Sequence, residues 1–133
     1  MHSKLRSIEH DREAFLEKAR NNQDLQKIVA DFHSTTAPLK YAHNFDWFGR
    51  PIIQLPQDII VMQELLWDLQ PDLIIETGVA RGGSLIFYSS ILHLLDLANE
   101  KMGNDTQAKS EVWGIDIRVH SENKEAIVSH PFA

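Results

Sequence analysis

Apolar residues at Leu5, Ile8, Phe15, Leu16 and Ala19, with charged residues between them, predict an amphipathic helix carrying one stripe. Asn21 to Asp24 ("NNQD") reads as a break and a fresh N-cap, because short polar side chains satisfy free helix N–H groups. A second, shorter helix follows through Leu25, Ile28, Val29 and Phe32 and ends near Ser34 to Pro38. Such a pair serves either as a cover for the main domain or as a dimer-forming or lid-forming extension, and an apolar stripe most simply faces its own core. From Pro38 to Pro56 the period is lost. Three prolines, a glycine and four aromatics predict an ordered loop there. Its Tyr41, Trp47 and Phe48 either line a pocket or anchor the loop to the core.

The helical period returns in Gln57 to Asp72, with Ile59, Met62, Leu65, Leu66 and Leu69 on one face and Asp58 in the first turn. Pro71 stops this helix. Leu73 to Glu76 ("LIIE") predicts a parallel strand buried on both faces. After a glycine turn, "SLIFYSSILHLLDLA" predicts a long helix packed on a sheet through Leu85, Tyr88, Leu92 and Leu95. Asn99 to Glu111 is a polar surface connection, Val112 to Ile117 a second buried strand, and Ser121 onward another helix. The order strand, glycine turn, helix, strand, helix gives a βαβ unit with a right-handed crossover. The fold class expected is α/β, a Rossmann-like doubly wound parallel sheet of which only the first β-α-β-α is present. Residues 1–37 would be a helical N-terminal extension, and 38–133 the first half of the Rossmann-like domain.

Composition narrows the partners. With 13 Lys and Arg against 19 Asp and Glu the chain carries a net charge of −6, with no basic cluster, which argues against nucleic acid. The absence of cysteine excludes disulfides, thiolate metal sites and a cysteine nucleophile. There is no membrane-span-length apolar run and no signal-peptide core, so a cytoplasmic location is expected. The seven histidines show no H-x-x-x-H or H-E-x-x-H spacing, and G-x-S-x-G is absent. No metal ligand is assigned within the chain.

The distinctive chemistry lies at the ends of the two strands. Gly78, Gly82 and Gly83 permit positive φ and let a ligand approach the backbone, while Ser84 and the helix-start N–H groups add donors. The same turn could be purely structural. Asp116, at the next strand end, suits two vicinal hydroxyls such as those of a ribose. Neither G-x-G-x-x-G nor G-K-[ST] is present. Glu76 stands two residues before the first glycine, where negative charge disfavours pyrophosphate and favours a cation or ammonium group. S-adenosylmethionine, which carries a sulfonium and an amino group, is therefore favoured over NAD.

The stretch from Trp47 to Leu95, followed by "VWGIDIRVH" and "AIVSHP", resembles the cephalosporin hydroxylase family over about Trp47 to Pro131. The motifs that carry the likeness are I-x-Q-x-P-x-D, P-D-L-I-x-E-T-G and G-G-S-x-x-F-Y-x-S. That family has the Rossmann-like fold of S-adenosylmethionine-dependent methyltransferases, and includes rhamnosyl O-methyltransferases and enzymes or subunits acting on cephalosporins. By this resemblance Glu76, Gly78, Ala80, Arg81, Gly82, Gly83 and Ser84 surround the methionine end of the cofactor. Asp116 holds the ribose hydroxyls, with Ile117 and Arg118 beside the adenosine. His120 and His130 match family positions too, with a structural role equally open.

The resemblance implies O-methylation of a small-molecule or glycosyl or lipid acceptor, with an unidentified catalytic base. A divalent ion such as Mg would be held by ligands outside this chain. Family members run longer, with further strands, so a truncated chain is expected. Its open sheet edges would leave it unstable or prone to form homo-oligomers. Alternatives are a non-catalytic cofactor-binding or partner subunit and an inactive fragment. A true hydroxylase would want a 2-His-1-carboxylate iron site, for which no spacing is visible.

Overall fold

The computed structural model describes residues 2–103 and 109–133, with side chains described from His10 onward. Leu5 and Ile8 of the predicted stripe, and the middle of the polar connection, lie outside the described side chains or residues. The chain divides into two compact units, Met1–Tyr41 and Ala42–Ala133.

The first unit contains α1 (His2–Arg20) and α2 (Gln23–Thr36). Asn22 caps α2 by accepting a 2.9 Å hydrogen bond from the Leu25 N–H, so the "NNQD" break is a cap as its chemistry dictates. Phe32 meets Tyr41 edge to face at 5.5 Å. Phe15 and Ile28 remain more than half exposed.

The second unit begins with a hairpin that the hydrophobic pattern does not announce. β1 (Phe45–Trp47) and β2 (Arg50–Ile52) pair antiparallel, with Trp47 opposite Arg50. The two linking residues, Phe48 (φ 45°) and Gly49 (φ 80°), both have positive φ, the conformation that a two-residue hairpin turn requires. The expected loop is thus partly a sheet. Of the two roles open to its aromatics, Trp47 is an anchor. Its indole N–H donates to the buried Ser90 hydroxyl at 3.0 Å, and its ring meets Phe87 edge to face at 4.9 Å.

α3 (Pro56–Leu69) starts with Pro at a position where a missing N–H costs nothing, and ends at Gln70 in the left-handed region (φ 46°) just before Pro71. β3 (Leu73–Thr77), α4 (Gly83–Lys101) and β4 (Glu111–Ile115) then form a βαβ unit, followed by α5 (Ser121–Val128). β3 and β4 pair parallel, with Glu76 opposite Gly114 and Thr77 opposite Ile115, so both strands end at the same edge.

The core gathers on α4. Ile52 from the hairpin, Leu66 from α3, and Phe87, Ile91, Leu92 and Leu95 from α4 are buried together. The periodicity placed the packed stripe of α4 on Leu85, Tyr88, Leu92 and Leu95, but Leu85 and Tyr88 are only partly buried, and the buried arc runs through Ile86, Phe87, Ser90 and Ile91 to Leu92 and Leu95. The reason is that the hairpin covers a flank of α4 that the sheet alone would leave wet.

The sheet corrects the expectation that "LIIE" is buried on both faces. Ile74, Glu76 and Val112 face α4 and are partly buried. On the opposite face Leu73 is 40% exposed, Ile75 55%, Trp113 54% and Ile115 56%. Strand alternation puts these four on the side away from α4, and among the described residues nothing covers them. Among the described residues the architecture is mixed α/β with five α-helices, one antiparallel pair and one parallel pair, and a full doubly wound sheet is not present among them.

Candidate functional site

Both acidic residues singled out by sequence stand at the carboxyl ends of the parallel strands, where open α/β sheets bind ligands. Glu76 is the penultimate residue of β3, and Asp116 follows β4 directly. The turn between β3 and α4 joins them. Gly78 donates its N–H to the Ile115 carbonyl at 2.8 Å, and the Asp116 carboxylate accepts from the Val79 N–H at 2.8 Å and the Ala80 N–H at 3.4 Å. The other Asp116 oxygen accepts from the Arg118 N–H at 2.9 Å. These backbone donors, Arg118 and Val79 foremost, hold its carboxyl below the usual aspartate range. Asp116 therefore first orders the turn, with one of its roughly four acceptor positions left over.

Glu76 is in the opposite electrostatic situation. One of its carboxylate oxygens is sealed from solvent with no hydrogen-bond partner among the described residues. Burial pushes its carboxyl up, and a hydrogen bond from Ser84 draws it partly back. Tyr88 is close enough to feel it: burial first, then the Glu76 charge, raises the phenol. A buried carboxylate oxygen with no donor is costly, and either protonation or an added donor relieves that cost.

The three glycines of the turn have different causes. Gly78 (φ 89°) faces open space, and among the described residues nothing beyond its chain neighbours lies within 4 Å of where its Cβ would be. At Gly82 (φ 82°) a Cβ would lie 2.2 Å from Ile127 Cγ1 of α5. At Gly83 it would lie 2.2 Å from the Pro51 carbonyl oxygen of β2. So only Gly78 leaves room for a ligand in the way the bare sequence suggested; the other two are bare because the protein itself fills the space.

The structure thus brings together Glu76, Gly78, Ala80, Gly82, Gly83, Ser84 and Asp116. Arg81 joins through its backbone, with its side chain exposed. Arg118 contributes an N–H to Asp116, and Ile117 is fully exposed. Two residues that sequence reasoning did not single out touch the turn. Arg50 of β2 donates from Nε (3.1 Å) and from Nη2 to the Arg81 carbonyl, and Asn123 of α5 donates to the Ala80 carbonyl at 3.3 Å. Both lie tens of residues away along the chain, so no local spacing could have revealed them. His130 has a structural part: its Nδ1 accepts from the Phe132 N–H, which leaves Nε2 to donate to the Phe48 carbonyl at 3.0 Å. Among the described residues no three His, Asp or Glu side chains converge on a metal position, and no helix is long and apolar enough to cross a membrane.

A parallel β-α-β unit with an acid at each strand end and an open glycine between them is the architecture of an α/β protein. Comparison with known families agrees: the model described as rhamnosyl O-methyltransferase/CmcI matches residues 39–133, and the chain belongs to that family. O-methyl transfer is accordingly the general activity of its group. No curated protein matches the chain, and no solved structure does.

Proposed function

We propose that the chain binds S-adenosylmethionine at the β3–α4 turn and serves methyl transfer to a hydroxyl of a small-molecule, glycosyl or lipid acceptor. The observation that carries this reading is the buried, unpartnered carboxylate oxygen of Glu76, two residues before Gly78, whose Cβ position faces open space. The residues fit the cofactor's charge. Glu76 would receive its ammonium group, with Ser84 steadying the carboxylate. The residual acceptor position of Asp116 would take a ribose hydroxyl, beside Ile117 and Arg118. Gly78, Ala80, Arg81, Gly82 and Gly83 would form the wall along which it lies. When bound, the cofactor supplies a methyl group on a cationic sulfur, and the chain's part is to hold that group and keep its orientation. In the same reading, β3 to α5 are the first β-α-β-α of a Rossmann-like sheet within 38–133, and 1–37 is a helical extension to it.

Calorimetric titration with S-adenosylhomocysteine, after folding is checked by circular dichroism, tests the reading. The wild type should bind. Glu76→Gln should weaken binding by about tenfold or more, the usual worth of a hydrogen bond to a charged group. Asp116→Ala should weaken it too, by loosening the turn and removing an acceptor. A folded wild type that takes up no S-adenosylhomocysteine would refute the assignment.

A further inference from the structure

The contacts of Arg50 and Asn123 have no part in the site as the sequence presents it, yet they converge on two successive peptide groups of the turn. Arg50 Nε and Nη2 both donate to the Arg81 carbonyl. Asn123 Nδ2 donates to the Ala80 carbonyl at 3.3 Å, and Arg50 Nη2 reaches Asn123 Oδ1 at 3.5 Å, so the two side chains support one another. On the other side of the same turn Asp116 accepts from the Val79 and Ala80 N–H groups. The turn is thus gripped on its carbonyls by β2 and α5 and on its amides by the loop after β4.

We propose that Arg50 and Asn123 are positioning residues for cofactor binding, holding the Ala80–Arg81 segment in the shape that the ligand requires. Ala80 is the reason a grip is needed. It has a Cβ but sits at φ 46°, a conformation that persists only where its surroundings enforce it. A peptide plane is rigid, so fixing a carbonyl also fixes the N–H across the bond. Pinning the Ala80 carbonyl aims the Arg81 N–H away from Asn123. Pinning the Arg81 carbonyl aligns the Gly82 N–H, which donates to the Val79 carbonyl at 2.8 Å and closes the turn before α4 begins. A guanidinium suits this place because two of its N–H groups can meet a single carbonyl and a third can reach Asn123, whereas an ammonium makes one such contact in a less defined direction. Neither residue touches the reacting atoms; both act through the backbone of the turn.

The inference rests on the cofactor reading above, and its test separates the two. Arg50→Ala, Arg50→Lys, Asn123→Ala and the double Ala variant of the 133-residue chain are titrated with S-adenosylhomocysteine. Amide hydrogen exchange of Ala80 to Gly83 is followed in the unliganded protein. Trp47→Phe is the control, because it breaks the hairpin's bond to Ser90 without touching the turn. Arg50→Ala should weaken binding about tenfold and Asn123→Ala by about threefold to tenfold, each accelerating exchange in the turn. The double variant should be little worse than Arg50→Ala, since the two act as one unit. Arg50→Lys should recover part of the loss. Trp47→Phe should lower Tm while leaving affinity and turn exchange unchanged. Wild-type affinity in Arg50→Ala would overturn the proposal, as would an equal loss in Trp47→Phe, which would make the effect a general loosening of the hairpin. Should Arg50→Ala fail to fold, Asn123→Ala and Arg50→Lys decide on the same readouts. Should the wild type bind no S-adenosylhomocysteine, the cofactor reading fails, and exchange alone judges the clamp: faster turn exchange in the variants upholds it, and unchanged exchange refutes it.

Discussion

Gly83→Ala offers a sharp test of how the turn is packed. An added Cβ would lie 2.2 Å from the Pro51 carbonyl oxygen, 2.5 Å from its carbon and 2.7 Å from Ile52 Cα. All three are backbone atoms of β2, and Ile52 is itself buried in the core at 1% exposure. The neighbour cannot rotate away; the hairpin must move off α4, disturbing the Trp47–Ser90 hydrogen bond and the burial of Ile52 with it. Overpacking of this kind costs about 1–3 kcal/mol, and a rigid obstacle puts Gly83→Ala at the upper end. At about 4–8 °C per kcal/mol for a unit of this size, Tm should fall by about 12–24 °C, measured by circular dichroism with urea unfolding alongside. Gly82→Ala should cost less, because its obstacle is the movable Ile127 side chain, and it adds a left-handed backbone penalty of about 1–2 kcal/mol. Gly78→Ala has the backbone penalty alone, yet it should weaken S-adenosylhomocysteine binding most for its stability cost, since its Cβ would enter the open flank. If Gly83→Ala proved the most stable of the three, the account of why the turn is bare would be wrong.

Ser90→Ala should cost about 1–2 kcal/mol by stranding the half-buried Trp47 indole N–H, visible as a lower urea midpoint with an unchanged slope; an unchanged midpoint would remove that bond from the account. Glu76 has its folded pKa raised by burial, so its charge opposes folding: the native state is favoured at low pH and loses that advantage as pH rises through the raised value. Glu76→Gln should therefore be more stable than wild type at neutral pH, with the gap closing as pH falls through the raised value toward the ordinary glutamate range; a constant gap across that range would contradict it. Asp116 has the opposite sign: its stabilisation is complete above the ordinary aspartate range and is lost as pH falls through its lowered folded value. Acid unfolding of Asp116→Asn should lack that part of the pH dependence, and an acid limb identical to wild type would show that the carboxylate does not hold the turn.

Much of this protein follows from local pattern. The period of Gln57 to Leu69 with Pro71 beyond it, the apolar run at Leu73, the glycines after it and the acid after Ile115 suffice for a βαβ unit with two carboxylates at one edge. Each depends on neighbours a few residues apart, and local sterics and periodicity act at that range. The hairpin at Phe45–Ile52 escaped because its strands are three residues long and its turn has Phe rather than Asn before Gly, too little for a period of two to show.

What only the tertiary structure decided concerns encounters between distant segments. The same glycine letter is an opening at Gly78 and a packing requirement at Gly82 and Gly83, a distinction that Ile127 and Pro51 make from far along the chain. Asp116 looked like a ligand residue and is first a staple for the turn, because parallel pairing brings two backbone amides within its reach. Arg50 and Asn123 carry no motif at all; they matter because β2 and α5 converge on the same two carbonyls. Sequence pattern specifies which elements form, since their forces are local, while the partner of each polar group depends on a packing arrangement that no short window of the chain contains.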